Sequence, residues 1–117
     1  MRDRLLNDLA GVLREFADER DWAQFHSPKN LAIALTIEVA ELLEEFQWLT
    51  EEQSRQPDQE RLKRIKDEIS DVLIYLVLLS DHLRIDPVAS AYEKIEKNRE
   101  KYPAEKARGS AKKYTEL

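Results

Sequence analysis

Apolar residues recur at intervals of three and four through most of the 117-residue chain, which is the spacing of one face of an α-helix. Leu5, Leu9, Val12 and Phe16 set the pattern near the N-terminus, and similar stretches follow. No stretch alternates apolar and polar residues as a half-buried β-strand does, and glycine occurs only twice. The chain is therefore predicted to be all-α.

Two proline-containing pairs predict where helices begin. The Ser-Pro pair at 27–28 and the Asp-Pro pair at 86–87 each combine a good N-cap residue with a proline suited to the first helical turn. The first pair opens a helix that we expect to run to about Trp48. The second opens a helix that we expect to end near Tyr102.

A further helix is predicted over 62–83, after a polar loop at 50–58. Four helices joined by short links indicate an antiparallel four-helix bundle. We expect one domain over 1–117, with a helical core at about 3–102 and an irregular basic tail at 103–117. The second and third helices are apolar around most of their circumference, so we also expect an oligomer, either a dimer or a dimer-of-dimers tetramer.

Composition narrows the functional classes. The net charge of −5 disfavours a nucleic-acid polymer as partner, and the lack of cysteine excludes disulfides and thiolate metal sites. The longest apolar run, Val72 to Leu79, is far shorter than the ~20 residues of a membrane span. The charged, amphipathic N-terminus does not resemble a signal peptide. We therefore expect a cytoplasmic protein that does not associate with membranes.

The segment EVAELLEEFQW at 38–48 places carboxylates inside an apolar helix. At about 100° per residue, Glu38 falls within the apolar stripe, Glu41 lies beside it and Glu44 faces away. A buried carboxylate without a positive partner costs several kcal/mol or becomes protonated. Glu38 and Glu41 are therefore predicted to share a positive partner.

The third helix repeats the arrangement, because Glu68 and Asp71 lie three apart on one edge of its apolar stripe. That stripe is predicted to contain Ile65, Ile69, Val72, Leu76 and Leu83. Four facing carboxylates repel one another unless a cation lies between them, and oxygen-only ligands favour Mg²⁺, with Mn²⁺ as a substitute. The Glu-x-x-His motif of di-iron bundles is absent. Such a site suits the hydrolysis of phosphate esters or phosphoanhydrides.

The motif E-x-x-E followed by E-x-x-D resembles that of the MazG-like all-α nucleoside triphosphate pyrophosphohydrolases. The segments DWAQFHSPKNL, EVAELLEEFQW, DEISDVLIYL, KNREKYP and ARGSAKKYTEL are similar to the dCTP pyrophosphatase branch of that family. The resemblance implies Mg²⁺-dependent hydrolysis of (deoxy)nucleoside triphosphates, chiefly dCTP and 5-modified dCTP, to monophosphate and pyrophosphate. The implied role is house-cleaning of the nucleotide pool.

The resemblance also implies roles for individual residues. It implies that the metal ligands are Glu38, Glu41, Glu68 and Asp71, and that Glu38 or Glu41 is the catalytic base. The implied substrate-binding residues are Trp22, Phe25, His26, Trp48 and Tyr75 for the base and sugar, and Lys94, Asn98 and Arg99 for the phosphates. The family's substrate-contacting histidine on the first helix aligns with Leu13, which predicts weaker selection among bases.

Two alternatives stay open at this point. A dUTP-type diphosphatase on a similar bundle would share the metal chemistry and differ in the base pocket. A non-catalytic helical interaction module would leave the acids as ordinary surface residues and would show no Mg²⁺-dependent melting temperature. Without the resemblance, Trp22, Trp48 and Tyr75 would be expected in the core.

Overall fold

The computed structural model describes residues 2–117, with side chains from Leu5 onward, and its regular elements are helices. The helices are α1 (Arg2–Glu19), α2 (Pro28–Glu44), α3 (Glu51–Arg55), α4 (Gln59–His82), α5 (Pro87–Lys101) and α6 (Ala104–Ala107), with 3₁₀ turns at Ala23–Phe25 and Tyr114–Glu116. Residues 2–117 contain no β-strand, so the all-α prediction is confirmed.

Side-chain caps begin the helices where the sequence predicts. The hydroxyl of Ser27 accepts a hydrogen bond from the Asn30 amide at 3.1 Å and begins α2. The carboxylate of Asp86 accepts from the amides of Val88 (3.0 Å) and Ala89 (3.1 Å) and begins α5. Each bond satisfies an amide that has no partner inside the helix.

The prediction that the second helix runs to about Trp48 is wrong, because α2 ends at Glu44. The amides of Phe46 and Gln47 both bond to the carbonyl of Leu43 at 2.9 Å, which tightens the chain into turns. The guanidinium of Arg61 on α4 donates to the Glu45 carbonyl. This carbonyl is therefore satisfied from outside the helix, and the chain can leave the helical path.

The loop predicted at 50–58 contains the short helix α3. Thr50 and Gln53 form a reciprocal capping box: the Gln53 amide donates to the Thr50 hydroxyl (3.1 Å), and the Thr50 amide donates to the Gln53 side chain (3.0 Å). The basic tail is likewise less irregular than predicted, because it contains α6 and a 3₁₀ turn. The ring of Tyr114 packs edge-on against Tyr102, with centroids 6.1 Å apart.

The core lies where α1, α2 and α4 meet, and its buried members are Leu13, Leu31, Val77 and Leu78. Ile65 of the predicted stripe on α4 is also buried, whereas Ile69, Leu76 and Leu83 are 41–52% exposed. One chain therefore buries only part of the stripe, because α4 is apolar on several sides and one chain covers only some of them. The closed four-helix bundle, the single domain and the oligomer stay predictions.

The part of the chain that the structure describes has no helix long and apolar enough to cross a bilayer. The cytoplasmic location stays a prediction.

Candidate active site

Three glutamates from two helices form one cluster. Glu38 and Glu41 lie one turn apart on α2 and face Glu68 on α4, and one carboxylate oxygen of each lies within 4.8 Å of the others. The Oε2 atoms of Glu38 and Glu68 are buried without a hydrogen-bond partner among the described residues. A buried, unpaired carboxylate oxygen is costly, so this cluster is suited to receiving a cation.

Glu45, close to the cluster, differs from its three glutamates because it is paired with arginines. Its carboxylate is 15% exposed and lies 3.0 Å from the Arg64 Nε atom and 3.5 Å from the Arg61 Nη1 atom. Among residues 5–117, no ion pair involves an acid of the cluster. Glu44 is exposed, as the helical wheel predicts. Sequence reasoning missed the role of Glu45, although arginines three apart at 61 and 64 on the next helix were a visible signal.

Burial and mutual repulsion shift the proton equilibria of the cluster. Burial raises the pKa of Glu38 to about 7, helped by the close approach of the Glu41 carboxylate and by the negative charges of Glu41, Asp71 and Glu68. Burial is also the main cause that raises the pKa of Glu68, and the negative charge of Glu41 raises it further. Asp71 contributes to both pKa shifts, so the fourth predicted acid lies close enough to act on the cluster.

The donor set fits a hard divalent cation. All the candidate ligands are carboxylate oxygens. Mg²⁺ and Mn²⁺ prefer such oxygen ligands, whereas softer metals prefer sulfur or nitrogen. The buried Oε2 atoms of Glu38 and Glu68 come from different helices, so a cation between them would satisfy both at once. The described residues therefore provide both the ligands and the spacing for a metal site.

A cavity of about 360 Å³ opens beside these acids, and Glu38 and Asp71 form part of its wall. Trp22, His26 and Tyr75 supply its aromatic surface. The remaining wall is apolar and consists of Val12, Leu13, Phe16, Ala17, Ile74 and Leu78. Flat rings next to carboxylates suit a ligand with a planar part and an anionic part that binds through a cation.

The end of α1 places Trp22 in this wall. Asp21 has a left-handed backbone (φ 54°), and the Trp22 amide then donates to the Ala17 carbonyl at 2.9 Å, as in a Schellman cap. The indole packs edge-on against Phe16, with centroids 5.6 Å apart. The following 3₁₀ turn brings His26 to the cavity, where the His26 amide donates to the Ala23 carbonyl at 3.1 Å.

Other predicted substrate-binding residues lie outside this cavity in the single chain. Phe25 is 60% exposed and Trp48 is 86% exposed, so Trp48 is not a core residue of this chain. Lys94, Asn98 and Arg99 lie on an exposed stretch of α5, where Arg99 pairs with Glu96 at 2.6 Å. Trp22, His26 and Tyr75 are thus brought together with the acids, and the other five predicted residues are not.

Comparisons with known proteins agree with this geometry. Residues 33–117 match the MazG-like family. The chain is 46% identical over 114 residues to dCTP pyrophosphatase 1 of Homo sapiens and 45% identical over 115 residues to that of Mus musculus, covering 96% of this chain and 67% of each relative. A crystal structure of a pyrophosphatase from Archaeoglobus fulgidus superposes with a TM-score of 0.79 at 46% identity, covering 83% of this chain and 91% of that one. The protein described here therefore belongs to the MazG-like family.

Proposed function

We propose that this protein hydrolyses (deoxy)nucleoside triphosphates, led by dCTP and 5-modified dCTP, to monophosphate and pyrophosphate. The observation that carries the proposal is the unpaired acidic cluster next to an aromatic cavity. The pyrophosphatase relatives named above support the reaction class and the choice of dCTP. The proposed cellular role is removal of unwanted nucleotides from the pool.

We propose Mg²⁺ as the cation, with Mn²⁺ as a substitute and with Glu38, Glu41, Glu68 and Asp71 as its ligands. When bound, Mg²⁺ offsets the negative charge of the triphosphate and activates the site for hydrolysis. The carboxylates otherwise repel one another, as the raised pKa values of Glu38 and Glu68 indicate. Binding the cation would relieve that repulsion.

The chain's own residues would do the rest of the chemistry. The base would stack on Trp22 and Tyr75, and the polar atoms of His26 would meet its edge. Glu38 or Glu41 would accept a proton from the water that attacks the α-phosphorus, and pyrophosphate would leave with the oxygen that bridges the α- and β-phosphates. A cavity of about 360 Å³ lies within the roughly 300–1,000 Å³ range of small-molecule sites.

We further propose that the active form is a dimer or a dimer-of-dimers tetramer. The accessible surface is 9594 Å², whereas a monomer of 13.8 kDa is expected to expose about 6,600 Å². The radius of gyration is 17.6 Å, against about 13 Å for a compact domain of this length. Half-exposed apolar residues on α2 and α4 supply a surface to bury: Ile33, Ile37, Leu43, Leu62, Ile69, Leu73 and Leu76.

A second copy would also complete the site. Trp48 and the α5 residues Lys94, Asn98 and Arg99 lie outside the cavity of their own chain. We propose that they reach the nucleotide across the interface, with Trp48 at the base and the α5 residues at the phosphates. Phe25, exposed beside the cavity wall, is proposed to contact the same base.

A product screen tests the proposal. The purified protein is incubated with Mg²⁺ and each of dCTP, 5-methyl-dCTP, dTTP, dUTP and dATP, and phosphorus NMR identifies the products. We expect monophosphate and pyrophosphate, with dCTP and 5-methyl-dCTP turned over fastest. Orthophosphate with a diphosphate would overturn the proposed bond cleavage, and preference for dUTP would favour the dUTP-type alternative. A protein without turnover and without Mg²⁺-dependent melting would be the non-catalytic module.

A further inference from the structure

His26 lines two cavities. The first, here called the inner cavity, is the one of about 360 Å³ beside the acids, and the second, here called the outer cavity, has a volume of about 290 Å³ and includes His82, at the end of α4, in its wall. The two imidazole rings meet edge to face, with centroids 6.4 Å apart and planes at 80°. These are the only two histidines of the chain.

Charged side chains also lie in the wall of the outer cavity. In the outer cavity, Asp81 is paired with Arg14, whose Nε atom donates to the Asp81 Oδ2 atom at 2.7 Å, and Asp18 lies on the same wall. The Nδ1 atom of His26 is buried and has no hydrogen-bond partner among the described residues. Within residues 5–117, the ring that packs against His26 is that of His82.

We propose that His82 is a positioning residue for nucleotide recognition: its ring packs edge to face against the His26 ring and holds that ring in the cavity wall. The inference rests on the proposed function, because it is the nucleotide base that His26 would meet.

The electrostatics of the site agree with this role. Burial lowers the pKa of His26, and the positive charge of His82 lowers it further. Carboxylates line both cavities that His26 lines: Glu38 and Asp71 are in the wall of the inner cavity, and Asp18 and Asp81 are in the wall of the outer one. They do not reverse the shift.

The charge of His26 decides what it can offer a base. A neutral imidazole has one donor and one acceptor, whereas an imidazolium has two donors and no acceptor. The environment therefore favours the form that can pair with a base edge containing both kinds of group.

Imidazole NMR of the nucleotide-free, untagged protein tests the coupling directly. Long-range proton–nitrogen spectra give one set of signals per ring, and His82→Gln assigns both sets. We expect the His26 titration midpoint to move to higher pH in His82→Gln, because one cause of its lowered pKa is removed. An unchanged midpoint and unchanged chemical shifts would show that the rings are not coupled and would overturn the proposal.

Kinetics test the consequence for binding. An edge-to-face pair is worth about a two- to tenfold change in an equilibrium, so His82→Gln should raise KM for dCTP by about that factor near pH 8 and change kcat by less than about twofold. His82→Phe keeps an aromatic edge and should restore KM. Arg84→Asn, which removes a neighbouring charge at a left-handed position that asparagine tolerates, should leave KM unchanged.

The outcomes separate this inference from the proposed function. If the protein releases no pyrophosphate from any triphosphate, the proposed function fails and nothing is positioned. If the parent turns over dCTP but His82→Gln shows the parent KM at every pH, the proposed function stands and the role of His82 is wrong. Equal KM values for His82→Gln and His82→Phe, both raised, would also overturn the role of ring packing.

Discussion

Glu38 on α2 and Glu68 on α4 approach each other, and each has one carboxylate oxygen that is buried and unpaired. The two helices that carry them pack through the core around Leu31 and Val77, so the site is held by the fold and not by a loop. A rigid pair of unpaired anions is unfavourable without a cation and favourable with one.

Replacing one cluster acid should abolish turnover. Glu38→Gln, Glu68→Gln or Asp71→Asn keeps the side-chain shape and removes one negative charge from the proposed metal site. We expect kcat/KM for dCTP to fall by at least about 100-fold, since loss of even an outer partner of a metal ligand typically costs about 10- to 100-fold. Steady-state pyrophosphate release measures the effect.

Glu44→Gln is the matched control, because Glu44 lies on the same helix and is exposed. It should retain most of the parent activity. Full activity in Glu68→Gln would refute the metal assignment, whereas equal loss in Glu44→Gln would point to a general effect of charge on α2.

The metal-free protein should lose stability as the pH rises from about 5 to about 8. The pKa of Glu38 is raised in the folded state to about 7 from an ordinary value of 4.5, so the folded protein holds a proton that the unfolded chain has already released. Stability contributed by this group therefore falls as the pH rises through that window. Mg²⁺ should raise the melting temperature more at about pH 8 than at about pH 5.5.

Thermal melts with EDTA or Mg²⁺ measure this, and Glu38→Gln isolates the glutamate. The lowered pKa of His26 acts in the opposite direction, because stability from that group is lost as the pH falls. The difference between parent and Glu38→Gln removes the histidine contribution. We expect the variant to be more stable than the metal-free parent at pH 8 by about 1 kcal/mol, after allowing for solvent screening. A parent melting curve that is independent of both pH and Mg²⁺ would contradict the prediction.

Arg61 should matter for stability more than other surface arginines. It donates to the Glu45 carbonyl at the end of α2 and also lies 3.5 Å from the Glu45 carboxylate, which is mostly buried. Arg61→Ala leaves both acceptors with fewer partners and should destabilise the fold by about 1–3 kcal/mol. Urea unfolding gives the free energy.

Arg55→Ala is the comparison, because Arg55 pairs with Glu52 at 3.4 Å and both side chains are exposed. Exposed pairs of this kind contribute about 0–1 kcal/mol. If both variants lose the same stability, the end of α2 does not depend on Arg61.

The local signals in the sequence predicted much of the fold. The caps at Ser27 and Asp86 begin α2 and α5 as expected, because each depends on a hydrogen bond to an amide only two or three residues away. The capping box of Thr50 and Gln53 was equally local, and recognising the T-x-x-Q spacing would have predicted α3. The spacing of Glu38, Glu41 and Glu68 predicted the cluster.

Features that depend on distant contacts were not predictable in the same way. The carbonyl of Glu45, just after the end of α2, accepts a hydrogen bond from Arg61, sixteen residues away, and the apolar periodicity of the sequence carries no sign of this contact. The side of α4 that is buried could not be chosen from a helix with apolar residues on several faces, and Ile69 and Leu76 are partly exposed as a result. Whether the side chain of Trp48 is buried depends on whether a second copy of the chain covers it.

Trp48→Ala should raise KM for dCTP by about tenfold and change kcat little. Stacking of a base on an aromatic ring is worth ~1–3 kcal/mol and is present in both the ground state and the transition state. Trp48 is 86% exposed and lies outside the cavity of its own chain, so the contact proposed for it is with the nucleotide bound to a second copy. Light scattering of the same sample should show a dimer or tetramer. A stable, active monomer at micromolar concentration, or a Trp48→Ala variant with the parent KM, would contradict the prediction.

Selection among bases should be modest. Stacking on Trp22 and Tyr75 gives affinity for any base, whereas strong rejection requires buried polar groups that a wrong base leaves unpaired. Leu13, which the resemblance aligns with a substrate-contacting histidine of the family, is an apolar core residue in the cavity wall, so we expect His26 to provide most of the polar contact to the base edge. We expect dCTP and 5-methyl-dCTP to have similar kcat/KM values, with the methyl group accepted against the apolar wall.

We expect the kcat/KM values for dTTP and dUTP to be lower by about 10- to 200-fold, and not by the 10⁴-fold or more of a fully hydrogen-bonded site. Competition between dCTP and each of the other triphosphates at equal concentration measures these ratios, and a preference for dATP would show that the aromatic cavity does not hold the base as proposed.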